Sequence, residues 1–273
     1  MSAISVFGGT GFIGSEFCNT TNRKTCLIER ESRTPRSSEC IYFISTTNNY
    51  NVFEDVHKDI DINLSLLVDV LKNLTPGNSI FNFISSWFVY GECNLPASEE
   101  SPCQPKGFYS ITKRAAEQLI ISYCQTFNIK YRILRLCNVY GKNDKDASKK
   151  KNAFQFLIEK LKKNEEIELY YNGDFYRDYM HVTDVAQAID LCIDKAPINE
   201  IINIGSGNKV NFKELIDKAV AITGSKSKIT NVEPADFHKV VQIKDFYMNI
   251  TKLEKLRFTP TISLDEGIKE LCQ

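Results

Sequence analysis

Short apolar runs alternate with segments of helical period along the first half of the chain. The runs AISVF (3–7), TCLIE (25–29), CIYFIS (40–45), SIFNFIS (79–85) and KYRILRL (130–136) are largely apolar along their length. That is the pattern of strands buried on both faces. Between them, NLSLLVDVLKNL (63–74) and TKRAAEQLIISYCQTF (112–127) repeat apolar residues at three- and four-residue spacing and predict amphipathic helices. Buried strands separated by helices predict a parallel sheet covered on both sides, hence an α/β fold. Past residue 141 the rhythm loosens: NAFQFLIEKLKKN predicts a helix, EIELYY a strand and NFKELIDKAVAIT a helix. A smaller, less regular lobe is expected there. No internal repeat, low-complexity tract or Gly/Ser/Pro linker divides the chain, so the two lobes should share a cleft.

Composition acts mainly by exclusion. Lys+Arg and Asp+Glu each number 34 in 273 residues, so no net field favours nucleic acid or an acidic membrane. The basic block SKKKN (148–152) reads as a solvated loop. No apolar stretch approaches the roughly 20 residues that span a bilayer, and no charged and apolar leader precedes the first strand. The nine cysteines are scattered, odd in number and without a C-x-x-C pair, which fits a reduced cytoplasmic protein with buried thiols. His57, His181 and His238 have no ligand spacing, and no metal is expected.

Candidate chemistry begins with GGTGFIG at residues 8–14, directly after the first strand. Gly8, Gly11 and Gly14 allow a sharp strand-to-helix turn, backbone approach to a pyrophosphate and close helix packing, with Phe12 and Ile13 opening the helix. Glu29 closes the second strand, where an acid can bind the adenine ribose hydroxyls. A second stretch, GFYSITKRAAEQ (107–118), puts Tyr109 four residues before Lys113. Taken alone, that is an ordinary pair of helix neighbours.

Six segments together say more. GGTGFIG (8–14), SSWFVYG (85–91), YSITK (109–113), RLCNVYG (135–141), FYRDYMHVTDVAQAI (175–189) and INIGSG (202–207) occur in the order and roughly the spacing of one family. The chain resembles the extended short-chain dehydrogenase/reductases of the nucleotide-sugar epimerase/dehydratase group. The resemblance implies a Rossmann-type doubly wound parallel sheet in residues 1–141, with 175–204 returning to it. Residues 142–174 and 205–273 would form a smaller C-terminal α/β lobe that binds the nucleotide sugar. NAD or NADP is the implied cofactor, a nucleotide-diphosphate sugar the implied substrate, and a homodimer through the 63–74 and 112–127 helices the implied assembly.

The site residues follow from the same resemblance. Tyr109 and Lys113 become the catalytic pair, with Lys113 and a positive nicotinamide lowering the phenol pKa and Lys113 also reaching the nicotinamide ribose. Ser86, at the end of its strand, would bond the same sugar oxygen. Asn63 matches the family's helix-start asparagine beside the cofactor, or is a simple helix cap. Asn138 and Arg177 would meet the sugar and its diphosphate. Asp178 is expected to order a turn, and His181 to be a packed residue. Lys149–Lys151 fall in a loop that approaches the phosphates in relatives. Where dehydratases carry an Asp-Glu pair, this chain has Trp87 and Phe88, which cannot move protons. Phe88 also replaces the cysteine of epimerising reductases. That leaves 4-epimerisation, or a 4-ketoreductase; a cofactor-binding sensor without catalysis is the alternative of another class. The usual C-terminal phosphate arginine is missing from FHKVVQIKDF (237–246), so its contact is lost or passes to Lys239.

One unit is also short. Only RESRTPRSSE, ten residues, separates the second strand from CIYFIS. Ten residues reach at most about 35 Å, too little to return along one strand, cross the sheet and form a helix. The sheet should therefore be shortened by one β/α unit. The second strand becomes an edge, the crossover an extended or poorly ordered loop, and the adenine pocket thinner. Glu29 would favour NAD, whereas Arg30 and Arg33 leave room for the 2′-phosphate of NADP.

Overall fold

The computed structural model describes residues 3–144, 148 and 152–273. Strand β1 (Ile4–Phe7), wholly buried, runs through Gly8 into α1 (Phe12–Thr20). Strands β2 (Thr25–Leu27), β3 (Glu39–Tyr42), β4 (Ile80–Ser86) and β5 (Lys130–Leu136) fall on the predicted apolar runs. The helix expected from residue 63 starts earlier: α2 (Lys58–Ile60), a π-helical turn (Asp61–Ser65) and α3 (Leu66–Leu71) run on without a break. Its first turns escaped the periodicity because an inward position is held by a carboxylate, Asp59, 1% exposed. Helix α4 (Phe108–Thr126) also begins ahead of the expected start at Thr112, so Tyr109 and Lys113 share its first turns.

The second half is built of shorter pieces. In order they are β6 (Asn138–Tyr140), α5 (Ala153–Lys162), β7 (Ile167–Tyr170), β8 (Tyr176–Arg177), β9 (Tyr179–His181) and α6 (Val182–Lys195). Then come β10 (Glu200–Ile204), β11 (Val210–Asn211), α7 (Phe212–Thr223), β12 (Ile229–Val232), α8 (Asp236–Val241), α9 (Thr251–Lys255) and α10 (Leu264–Cys272).

The main sheet has the order β10-β5-β4-β3-β1-β2, and every pair is parallel. Its two faces carry separate apolar cores. Phe7, Tyr42, Phe81, Leu67 and Ile120 pack on the side of α3 and α4, whereas Val6, Ile41, Phe17, Ile189 and Ile202 pack on the side of α1 and α6. Tyr140, Phe154, Ile167, Phe212 and Ile268 form a third core, which joins α5, α7 and α10 around the small paired strands.

The shortened crossover is present. β2 pairs with β1 and is the sheet's edge, and no helix lies between β2 and β3. The returning loop is ordered by a buried hydroxyl on β1. Ser5 Oγ accepts from Arg36 N at 2.7 Å and Ser37 N at 2.9 Å, and pairs with Ser37 Oγ at 2.8 Å. These contacts pin the loop across β1.

Candidate active site

A cavity of about 470 Å³ opens where β4 and β5 end, between the start of α1 and the elements α5, β7 and α8. Of the residues singled out from sequence, Phe12, Ile13, Ser86, Tyr109, Lys113, Asn138 and Arg177 all line it. Open parallel sheets place ligands at this end.

The glycine turn fits a dinucleotide. Gly8 has φ +76°, and Gly11 donates its N–H to Gly8 O at 3.1 Å while capping α1 without a side-chain bond. A Cβ on Gly14 would lie 2.4 Å from Gly8 O and 3.0 Å from Gly9 Cα, so only glycine lets the helix pack this closely. The first amides of α1 are left to an anion. Glu29 lies beyond, exposed, and holds Arg36: Nη2 is 2.6 Å from each carboxylate oxygen. That bond draws the Glu29 pKa below its ordinary value.

Ser86 ends β4, and its Oγ accepts from Phe88 N at 3.3 Å. Tyr109 is buried, lies beside Ser86 in the cavity wall, and meets the Phe88 ring edge-on at 5.7 Å. Lys113 is not among the groups that lower the phenol pKa. Burial pushes the Tyr109 phenol up to about 12, the Ser86 hydroxyl opposes this, and the Asp59 charge adds to it. Lys113 is turned elsewhere: its Nζ donates to Ile84 O at 2.6 Å and sits 4.1 Å over the Phe83 ring. Burial lowers its own pKa to about 7 against the field of Glu117. Glu117 in turn is buried, which raises its pKa, but the Arg135 fork at 2.8 and 2.9 Å and the bond from Ser85 outweigh this and hold it ionised.

Asn63 requires a second correction. It neither opens a helix nor caps one, but lies within the π turn, behind the loop that borders the cavity. Its Oδ1 accepts from Thr46 N at 2.9 Å, and its Nδ2 donates to Thr46 Oγ1 at 2.8 Å and Thr112 Oγ1 at 2.9 Å. Thr46 Oγ1 also bonds Asp59, which takes a second bond from Asn51 at 3.0 Å. Thr112 bonds the carbonyls of Phe108 and Tyr109. A buried carboxylate is thus linked through Thr46, Asn63 and Thr112 to the turn that carries Tyr109. Sequence reading missed Asp59 and Thr46, and no local pattern marks either.

On the far wall, Asn138 donates its side-chain amide to Asp178 O at 3.0 Å. Arg177 bonds the carbonyls of Tyr176, Ile243 and Lys244, and its guanidinium stacks 5.3 Å from Trp87 and 4.8 Å from Phe175. Burial lowers its pKa, and among the described residues no carboxylate ion-pairs with it. A half-buried cation served by carbonyls and rings can receive an anion. Asp178 orders a turn as expected, accepting from Ser206, Gly207 and Met248. His181 is packed, as expected; it caps α6 and lies 2.9 Å from Glu270. Lys239 borders the cavity, yet Asp236 and Glu233 lie 3.7 and 3.8 Å from its ammonium. Lys149–Lys151 lie outside the described residues. Helix α8 closes this side on the turn Asn49–Phe53, with Phe237 against Tyr50 and Phe53 and the Tyr50 hydroxyl 2.8 Å from His238 Nδ1. Among the described residues no cluster could hold a metal, and no helix is long and apolar enough to cross a membrane.

Comparison with known proteins agrees with this geometry. A protein of Methanocaldococcus jannaschii named "Putative UDP-glucose 4-epimerase" is 29% identical, over 98% of this chain and 96% of its own. The dTDP-4-dehydro-6-deoxyglucose reductase of Escherichia coli is 25% identical, over 85% of this chain and 73% of its own. Among solved structures, the UDP-glucuronic acid 4-epimerase of Bacillus cereus, in complex with UDP-glucuronic acid and NAD, superposes with a TM-score of 0.87 at 20% identity, covering 100% of this chain and 98% of the other. The model of the NAD dependent epimerase/dehydratase family matches residues 39–205, well over half of the sequence. The chain therefore belongs to that family, whose members are NAD(P)-dependent enzymes acting on nucleotide sugars.

Proposed function

We propose that the protein transfers hydride at C4 of a nucleotide-diphosphate sugar, as a 4-epimerase. The observation that carries this reading is the convergence of Ser86, Tyr109 and Lys113 on one cavity, in which Trp87 and Phe88 stand where a dehydratase needs proton-moving acids. A bound nicotinamide supplies hydride acceptance and return. Tyr109 moves the proton of the C4 hydroxyl, Ser86 orients both oxygens, and Lys113 steadies the cofactor side. Phe12, Ile13 and the Gly8–Gly14 turn take the dinucleotide, and Asn138 and Arg177 take the sugar diphosphate. Asn63 serves indirectly, by holding the Thr46 loop.

Tyr109→Phe tests this on a panel of nucleotide sugars. Turnover should fall by about 10²–10⁴-fold while dinucleotide binding stays near normal. Retention of most of the wild-type rate would remove Tyr109 from the mechanism.

A second reading, 4-ketoreductase, is favoured by the absence of a strand beyond β2, which leaves the adenine end of the cofactor less enclosed and its exchange easier. Denaturing fresh protein and quantifying released nucleotide separates the two. Near-stoichiometric NAD supports epimerisation, and empty protein activated by NADPH supports reduction.

The proposed assembly is a homodimer through the helical stretch 58–71 and α4. Val68 and Leu119 on these elements are exposed by 44% and 41%, and Ile111 by 49%, large apolar side chains that a partner would cover. Light scattering should give twice the chain mass, and a monomer at all concentrations would rule this out.

A further inference from the structure

A column of aromatic rings, Phe246, Trp87 and Phe88, ends in the cavity beside Tyr109, and the hydride chemistry makes no use of it. Phe246 is fully buried, Trp87 is 3% exposed, and Phe88 is partly exposed. Trp87 stacks on Phe246 with centroids 4.7 Å apart and on Phe88 at 4.0 Å, at interplanar angles of 27° and 29°. Backed in this way, Phe88 cannot retreat, and its ring stands 5.7 Å from that of Tyr109. It is a fixed apolar wall next to the oxygen on which Tyr109 acts. The neighbouring wall is different. β4 lies between β3 and β5, and on the β3 side the loop presents Ser45, Thr46, Thr47 and Asn48 to the cavity.

A hexose has the same two-sidedness about C4, since C3 carries a hydroxyl and C5 carries the C6 group. The C3 hydroxyl matches the polar loop, which leaves C6 to Phe88. We propose that Phe88 determines specificity at C6: the substrate is a nucleotide-diphosphate 6-deoxyhexose, whose methyl group packs on this ring, and uronates are excluded. This rests on the nucleotide-sugar reading above and adds the class of sugar to it. A C6 hydroxyl would lose water against the ring, and a carboxylate would also need a cation there. Among the described residues, the lysines and the arginine that line the cavity are engaged elsewhere. Lys113 and Lys160 bond the carbonyls of Ile84 and Glu166, and Arg177 bonds those of Tyr176 and Ile243. Lys239 lies 3.7 Å from Asp236, and Lys244 3.9 Å from Asp174.

The test is calorimetric binding of UDP-6-deoxyglucose, UDP-glucose and UDP-glucuronate to the NAD-loaded protein, as wild type, Phe88→Ala and Phe88→Arg. The three probes differ only at C6, so their ratios cancel the contribution of the base, and reading binding rather than turnover keeps the result independent of the reaction. Wild type should hold the 6-deoxy sugar about tenfold more tightly than UDP-glucose and about a hundredfold more tightly than the uronate. Phe88→Ala should erase most of the first ratio, and Phe88→Arg should bring the uronate level with the 6-deoxy sugar or ahead of it. Unchanged melting temperatures confirm folding, and Phe88→Ala alone decides the matter if the arginine is not accommodated. A wild type that binds the uronate as tightly as the 6-deoxy sugar, or an order unmoved by Phe88→Ala, overturns the proposal. Failure of all three probes and of UDP and dTDP themselves to bind rejects the nucleotide-sugar reading, and the specificity with it.

Discussion

Replacing Lys113 with methionine is expected to make the protein more stable while ending its activity. The ammonium is buried on α4 and its pKa falls from 10.5 to about 7. In the unfolded chain the amine recovers its ordinary value, so between these two pH values the unfolded state binds more protons and stability rises with pH. Below that window the whole penalty applies, and above it none does. Three to four units at about 1.4 kcal/mol each give roughly 5 kcal/mol in full, and about 4 kcal/mol at pH 7, where half of the folded molecules have already released the proton. Methionine has nearly the same length and no charge, but it leaves Ile84 O without its donor, a loss of about 1–3 kcal/mol. The net gain at neutral pH is then about 1–3 kcal/mol, or several degrees of melting temperature at about 2–4 °C per kcal/mol for a chain of this size. Thermal unfolding of wild type and Lys113→Met at pH 7 and near pH 10 measures it. The variant should melt higher at neutral pH, and the gap should narrow in alkali as the wild-type amine loses its charge. A variant that melts lower at pH 7, or a gap indifferent to pH, refutes the reasoning.

Two other substitutions probe the surroundings of Tyr109 and the glycine turn. Asp59→Asn keeps the acceptor used by Thr46 and Asn51 but removes the negative charge that helps hold Tyr109 protonated, so the limb of the pH–rate profile that Tyr109 governs should move to lower pH; an unmoved profile would detach Asp59 from the site. Gly14→Ala drives a methyl group into the Gly8 carbonyl and should cost about 1–3 kcal/mol, read as a lower melting temperature together with weaker dinucleotide binding, whereas a neutral effect would show that the turn can relax.

What could be read from the sequence depended on how local the cause was. The strands of the main sheet were legible because each is apolar over its own length, and the absent helix because ten residues cannot reach far enough whatever their side chains do. Tyr109, Lys113 and Ser86 were legible only as members of an ordered set of motifs. The direction in which Lys113 points was not, since its partner is a backbone carbonyl 29 residues away. Asp59 was hidden for the opposite reason: a carboxylate on the inward side of a helix breaks the apolar period, and the groups that satisfy it come from a loop at residues 46–51. The two-residue strands β8 and β11 exist only through each other, and a pattern of period two cannot be recognised in two residues.

A sheet that stops at β2 leaves a row of backbone groups without a neighbouring strand, which in principle invites another polypeptide to add itself there. The edge is poorly suited to that use. It is three residues long, too short for a register to form. Ahead of it Arg23 is clamped to Asp190 at 2.7 Å, with its side chain only 7% exposed, so the approach is fixed against α6. Behind it stand the charges of Glu29 and Arg36. Leu27 is the one large apolar side chain it exposes, at 48%. The loss of a β/α unit therefore leaves a boundary that resists templated aggregation, by its shortness and by charge at its exit rather than by a covering helix.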